Sequence, residues 1–236
     1  MLDLTCLILC GGKGERLRPL TSTQQKCLLS VQGRPFLEYI VDQIKSFDLD
    51  KIIFCCGYRG YDIINYFSQG PIYQPFEFSY PDRFINTGAR ALKALELVDT
   101  KYIIVFNGDS YCNINKNQLV EIYQNFIKNK DNAVKLLVSK EGSLLSSFIS
   151  SPIKGYYGAG IYFFKRTFLR GYEYNDNLSI EDHMINRINC NYIVLPEMCY
   201  TIDIGTVENY QEVNNEKGRF GRIFAHLNKE STSKKS

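Results

Sequence analysis

The sequence predicts an α/β protein, a Rossmann-like arrangement of three α/β/α layers around a mixed, mainly parallel central sheet. Three observations carry that expectation. Short apolar runs alternate with helix-periodic stretches along the chain, the first run closes abruptly on glycines, and the overall composition is globular, with 44% hydrophobic and 22% charged residues. A strand buried on both faces reads as a continuous apolar run, and strands trading places with helices at this spacing build βαβ units. Such sheets hold ligands beyond the carboxyl ends of their strands.

The first strand covers residues 4–10 and runs into Gly11-Gly12-Lys13-Gly14. From Pro35 the period becomes helical, with Phe36, Tyr39, Ile40, Ile44 and Phe47 on one face and the proline in the first turn, where its missing N–H costs nothing. Strands are expected at 51–56, 76–80 and 102–106, separated by helices at 61–67 and 89–97. A helix at 116–128, strands at 133–139 and 160–164, a helix at 180–188, strands at 192–195 and 200–204, and a helix from Val207 complete one domain, residues 1–215. Residues 139–152, rich in Ser and Gly, read as a loop or weak hairpin. Residues 216–236 form a polar, basic tail, and its last eight residues have the composition of a disordered end.

The net charge of +3 is unevenly placed. From Asn214 onward six basic side chains face two acidic ones, a net of +4, which leaves the preceding residues at −1. A near-neutral body argues against a nucleic-acid partner, and the tail offers only Phe220 and Phe224 for stacking. None of the eight cysteines is paired in C-x-x-C spacing, and Cys6 and Cys10 lie about 13 Å apart along a strand, too far for a disulfide. No apolar stretch approaches the length of a membrane span, and the start lacks a basic signal region. Free thiols in a reducing cytoplasm, with no membrane insertion, are expected.

The loop Gly11-Gly12-Lys13-Gly14-Glu15-Arg16-Leu17-Arg18-Pro19-Leu20-Thr21 directly follows the first strand. Glycines at Gly11, Gly12 and Gly14 let backbone N–H groups approach an anion, and Arg16 adds a bidentate phosphate donor. A plain glycine turn with surface arginines is the bland alternative. The loop lacks the G-x-x-x-x-G-K-S/T of a P-loop. It also lacks the acid that a dinucleotide fingerprint places about 20 residues on.

With these residues in place the chain resembles the sugar-1-phosphate nucleotidyltransferases, which open on a strand, G-G-x-G-x-R-L-x-P-L-T and a lysine about ten residues later. Lys26 occupies that place, although Gln25 stands where the family usually has proline. Thr87-Gly88 within Asn86-Thr87-Gly88-Ala89-Arg90, Gly108-Asp109, and Asp203 within Ile202-Asp203-Ile204-Gly205 follow in the family's order. The resemblance implies the nucleotide-diphospho-sugar transferase fold. Within the family, the opening Leu-Cys-Gly-Gly and Pro35-Phe36-Leu37-Glu38 look like the D-glycero-D-manno-heptose 1-phosphate guanylyltransferases, while Thr87-Gly88-Ala89-Arg90 is also similar to a stretch of the glucose-1-phosphate cytidylyltransferases.

What the resemblance implies is attack of a sugar 1-phosphate on the α-phosphorus of a nucleoside triphosphate, with release of pyrophosphate. Leu9, Gly11, Gly12, Gly14, Thr87, Gly88 and Asp109 would bind the nucleotide, with Tyr58 and Arg59 as further base-side candidates. Arg16, Lys26 and Asp109 would act in catalysis, and Asp109 with Asp203 would hold Mg²⁺ through oxygen. For Thr87 and Gly88 a helix-cap role is the alternative. The family's Glu-Lys-Pro is replaced by Ser150-Ser151-Pro152, so Lys154 is the candidate for the missing lysine and Glu181 for the sugar hydroxyls; surface roles suit both equally. His183 reads as structural. A cytidylyl- or thymidylyltransferase, or a non-catalytic nucleotide-sugar-binding subunit, are the alternatives, and a homodimer is left open.

Overall fold

The structure, a computed structural model, describes residues 2–45, 47–70, 75–145, 153–185 and 190–233. Strand β1 (Leu4–Leu9) is buried along its whole length. Its pleat sends Cys6 and Ile8 into one core cluster and Leu7 and Leu9 into another, so a single apolar run feeds both faces of the sheet. The chain continues through β2 (Ser30–Val31), β3 (Arg34–Pro35), α1 (Phe36–Ile44), β4 (Ile52–Cys55), α2 (Gly60–Gln69), β5 (Phe76–Ser79), α3 (Thr87–Ala94), β6 (Tyr102–Asn107) and β7 (Ser110–Cys112). Then come α4 (Lys116–Lys128), β8 (Ala133–Ser139), β9 (Tyr156–Lys165), α5 (Arg166–Arg170), a π-helical turn at Ile180–Ile185, β10 (Asn191–Val194), β11 (Thr201–Asp203), α6 (Val207–Asn214) and α7 (Arg219–Ser233).

Seven strands form the main sheet in the order β10-β8-β9-β6-β1-β4-β5. Within it β9 runs antiparallel to β6 and β8, and the other pairings are parallel. From β1 the chain crosses to β4 and β5 on one flank and then to β6 on the other. The crevice of such a sheet therefore opens between the carboxyl ends of β1 and β6, where the strand order switches direction. The glycine loop leaves from β1 there, and Gly108-Asp109 leaves from β6. A separate antiparallel pair, β11 with β7, sets Asp203 opposite Ser110 and so returns the late aspartate to the same crevice.

Several elements differ from expectation. β9 begins at Tyr156 instead of residue 160, because its first half pairs with β8 as far as Ser139. Short β7 was not legible, since three residues carry no periodicity. The helix expected at 180–188 is a π-helical turn through Ile185, and residues 186–189 lie outside the described residues, as do 146–152 of the expected loop.

The larger correction concerns the tail expected to be partly disordered. Residues Arg219–Ser233 form α7, and Phe224 is completely buried in the core cluster built on α1 and α4. Its ring lies 4.8 Å from that of Tyr39, 5.6 Å from Phe36 and 5.7 Å from Tyr111. Phe220, Ile223, Phe224 and Leu227 repeat at helical spacing, an apolar stripe that the polar composition of the last residues obscured. Polar contacts fasten the helix as well: Asn228 donates to the Gln32 carbonyl at 3.0 Å, and Ser231 to Asp42 at 2.9 Å.

Candidate active site

The glycine loop owes its shape to two close approaches. Gly14 has φ +62°, where a side chain would be strained, and its carbonyl accepts a 2.8 Å hydrogen bond from Thr21 Oγ1. A Cβ on Gly11 would lie 2.8 Å from both Arg90 Nε and the Gly57 nitrogen. Gly12 differs from both, because a Cβ there would meet nothing within 4 Å. Packing within the protein does not require that glycine; an approaching ligand would. Arg16 stands exposed on the 3-10 turn Glu15–Leu17 that follows.

Lys26 is turned inward. Its 3-10 turn, Lys26–Leu28, is capped by the Gln25 side chain, which accepts from Cys27 N at 2.5 Å and donates to the Cys10 carbonyl at 2.7 Å. Where the family usually has proline, hydrogen bonds thus tie the lysine's turn to the end of β1. Lys26 Nζ meets Asp109 Oδ2 at 2.5 Å, with only 10% of the lysine side chain exposed. Burial pulls the Lys26 pKa down, but the Asp109 and Asp203 charges outweigh it and the net shift is upward. For Asp109 burial pushes up, while the Lys26 charge and hydrogen bonds from Lys26 and Ser110 bring the carboxyl below its usual range. The residue stays a carboxylate. Asp203, buried beside this pair, accepts from the Gly205 N–H, and the Ile204 N–H donates to the Asp109 carbonyl at 3.1 Å.

The residues expected to bind the nucleotide have partners within the protein. The Leu9 carbonyl accepts from Gly108 N at 2.9 Å, joining the β1 and β6 ends. Gly88 N donates to the Leu178 carbonyl at 2.8 Å, and Thr87 Oγ1 accepts from Ile180 N at 3.1 Å. The cap of α3 is Asn86, whose side chain accepts from Thr87 N. Thr87 and Gly88 therefore lock α3 to the π-helical turn. Arg59 forms a salt bridge with Asp62 at 2.6 Å, and Tyr58 N donates to the Gly11 carbonyl at 3.1 Å.

The sugar-side expectations divide. Glu181 lies in a buried chain: Tyr162 donates to one of its oxygens and Lys135 Nζ meets the other at 2.6 Å, with the lysine side chain 0% exposed. Burial and then the Glu181 charge push the Tyr162 phenol well up, so it remains a donor. Asn107, the last residue of β6, bonds Tyr162 in turn, which links the chain to the Asp109 crevice. Lys154, by contrast, is exposed before β9 begins, and the four residue steps from Tyr156 to Gly160, where β9 passes Asn107 and Ser110, already span about 13 Å. The lysine that the fold sets against Glu181 is Lys135, not Lys154. Ser150-Ser151-Pro152 lies outside the described residues. His183 is structural, its Nδ1 accepting from Ser179 N at 3.1 Å.

Glycine loop, inward lysine and two aspartates thus converge at the switch point of the sheet. The family described as nucleotidyl transferase matches residues 5–148. The chain belongs to the nucleotidyl transferase family. It is 27% identical over 169 residues to the bifunctional protein GlmU of Methanocaldococcus jannaschii, a match covering 69% of this chain and 40% of that one. The chain thus spans well under half the length of such relatives. It is 23% identical over 225 residues to the D-glycero-alpha-D-manno-heptose 1-phosphate guanylyltransferase of Aneurinibacillus thermoaerophilus, covering 90% of this chain and 98% of that one. Among solved structures, HddC from Yersinia pseudotuberculosis, complexed with GMP-PN, superimposes with a TM-score of 0.69 at 24% identity, covering 90% of this chain and 98% of HddC.

Three polar residues near the crevice are not singled out by the sequence of this family member. Lys135 was a lone charge inside an apolar strand, a pattern that asks for a buried partner. Gln25 was visible as the replacement of proline. Arg90 closes the Asn86-Thr87-Gly88-Ala89-Arg90 stretch, whose pattern assigns it no role of its own.

The aspartates also fit a magnesium ion. Mg²⁺ binds through one or two carboxylates and substrate phosphates, keeping several waters, and Asp109 and Asp203 offer two carboxylates beside the glycine loop. No cluster of three or more His, Cys, Asp or Glu capable of holding a metal exists among the described residues. Likewise, no helix among them is long and apolar enough to cross a membrane.

Proposed function

We propose that the protein joins a sugar 1-phosphate to a nucleoside monophosphate taken from a triphosphate, releasing pyrophosphate, and that its substrates are D-glycero-D-manno-heptose 1-phosphate and GTP. The product would be GDP-heptose for a surface polysaccharide, made in the cytoplasm. The observation that carries the reading is the Lys26–Asp109 pair, flanked by Asp203, beside a loop whose Gly12 is open to a ligand. The heptose and guanine assignments are supported by full-length similarity to the heptose 1-phosphate guanylyltransferase.

A phosphate oxygen of the sugar 1-phosphate forms a bond to the α-phosphorus while the bond from that phosphorus to the bridging oxygen of pyrophosphate breaks. Such chemistry depends on positioning and on neutralising charge. The N–H groups around Gly12 and Gly14 cradle the triphosphate, and Arg16 faces the departing pyrophosphate. Lys26, held charged by its aspartates, leans on the α-phosphate. Asp109 and Asp203 would hold Mg²⁺, which when bound neutralises phosphate charge. Glu181, oriented by Lys135 and Tyr162, accepts hydrogen bonds from sugar hydroxyls.

Pyrophosphate release measured with each of four NTPs and a panel of sugar 1-phosphates, with and without Mg²⁺, tests the reading. GTP with the heptose phosphate should turn over fastest. Turnover with no pair would leave a binding subunit, and a preference for CTP or dTTP would move the protein to another branch of the family.

A further inference from the structure

Arg90, on α3, is 4% exposed, yet no carboxylate or carbonyl partners its guanidinium among the described residues. Its Nε is a buried donor with no hydrogen bond. Buried arginines are otherwise paired, because an uncompensated charge in the interior is costly. Burial pulls the Arg90 pKa down, with the nearby thiols of Cys10, Cys55, Cys27 and Cys56 acting the other way. The Nη nitrogens make no hydrogen bond to the described residues and, unlike Nε, are not wholly cut off from solvent. A group serving only to fill space would be cheaper as leucine or methionine.

Its surroundings point to what it faces. Nε presses against Gly11 and Gly57, where neither residue has room for a Cβ. Gly14, at the other end of the loop, lies against Lys26 instead. A nucleotide lying along this loop with its phosphates toward Lys26 brings its base to the Gly11 end, beside Arg90. Phe84, 54% exposed, stands over the same place, with the Arg90 guanidinium 5.5 Å and Lys13 Nζ 4.7 Å from its ring centre. An exposed aromatic ring beside unpaired planar donors suits a base, which offers a face to stack and an edge to read.

We propose that Arg90 reads the nucleotide base, donating two hydrogen bonds from its outer edge to two adjacent acceptors while Phe84 stacks on the ring. The proposal rests on the nucleotidyl transfer proposed above and deepens it. Adjacent acceptors exist as N7 and O6 of guanine and as O2 and N3 of cytosine; adenine alternates acceptor and donor, and uracil and thymine set a donor between their acceptors. Arginine's fixed fork is therefore a filter for guanine or cytosine. Guanine is the base that the proposed function supplies.

The test compares GTP with 7-deaza-GTP, which lacks the N7 acceptor, first in the wild-type enzyme and then in Arg90→Met and Arg90→Lys. A good bidentate pair is worth roughly 10-fold to 100-fold. The wild type should use 7-deaza-GTP about 5-fold to 10-fold less efficiently, chiefly through KM. In Arg90→Met, kcat/KM for GTP should fall about 10-fold to 100-fold and the ratio between the two nucleotides should collapse to about one. A wild type indifferent to N7 while preferring GTP overturns the proposal, as does an Arg90→Met enzyme that loses every NTP equally yet keeps the ratio, which is the signature of a phosphate-holding or structural role. A wild type that prefers CTP over UTP, with the preference erased in Arg90→Met, sustains the proposal and overturns only the guanine assignment. Preference for UTP, dTTP or ATP overturns both. Should no NTP turn over, calorimetric binding of GTP and 7-deaza-GTP to the wild type gives the same discrimination while the enzymatic reading alone fails. Arg90→Lys keeps the cation if Arg90→Met does not fold, and the wild-type nucleotide pair requires no variant.

Discussion

Replacing Lys26 by methionine removes the cation between two carboxylates while keeping an unbranched side chain of similar length in a nearly closed site. Two effects of different size follow. In the proposed reaction the ammonium that Asp109 holds at 2.5 Å meets charge on the α-phosphate, and removing one such preorganised group costs about 10²-fold to 10³-fold in kcat. Stability should change less. Asp109 keeps 29% of its side chain exposed, so the loss falls between that of a surface pair, about 0–1 kcal/mol, and that of a broken buried pair, about 3–5 kcal/mol; about 2 kcal/mol is expected. Adding Asp109→Asn removes the stranded charge, so the double variant should recover stability but not turnover. Pyrophosphate release at saturating substrate and urea unfolding measure the two quantities. A Lys26→Met enzyme within about 3-fold of wild-type kcat would refute the catalytic placement. A double variant less stable than either single one would refute the electrostatic reading of the pair.

The same pair fixes a pH dependence. The lowered Asp109 pKa contributes stability that is present above the unfolded carboxylate value near 3.9 and is lost as pH falls through the folded one, whereas the raised Lys26 pKa contributes below about 10.4 and is lost as pH rises through its folded value. The stability gap between wild type and Lys26→Met, followed by urea titration, should therefore be widest near neutral pH and shrink as pH falls, beginning where Asp109, left with the upward push of burial in the variant, takes up its proton and continuing to the lowered value of the wild type. Phe224→Ala should cost about 3–5 kcal/mol in urea unfolding of the full chain, since the ring is wholly buried among Phe36, Tyr39 and Tyr111; a loss under about 1 kcal/mol would mean that α7 does not pack as described. Glu181→Gln deprives the fully buried Lys135 ammonium of that counter-charge and should destabilise by about 3 kcal/mol while raising KM for the sugar phosphate more than KM for the nucleotide, a split that steady-state kinetics reads directly.

The strongly patterned parts of the fold were legible before any coordinates. Residues 116–128 and 133–139 are bounded as expected, because a 13-residue amphipathic stretch behind Asn115 and an apolar run of seven each have one reading. The tail was misread through composition, although four apolar residues at helical spacing were present. Composition reports whether a segment can bury surface of its own, whereas α7 buries Phe224 against a core made elsewhere.

In the site, the sequence determined which residue types occur and in what order, and the tertiary structure decided their partners. The glycine loop with Arg16 reads as an anion cradle from its residues, whereas Lys26, Asp109 and Asp203 are picked out by the resemblance of their motifs to a family. That Lys26 faces Asp109 follows only from the β1–β6 neighbourhood, and that Asp203 joins them only from the β7–β11 pair, contacts that no local pattern encodes. The same holds for Lys135 against Glu181, across 46 residues of chain. Where a charge is buried, its meaning lies in what the fold brings against it. For Arg90 no described residue supplies a counter-charge, and only the folded chain reveals that.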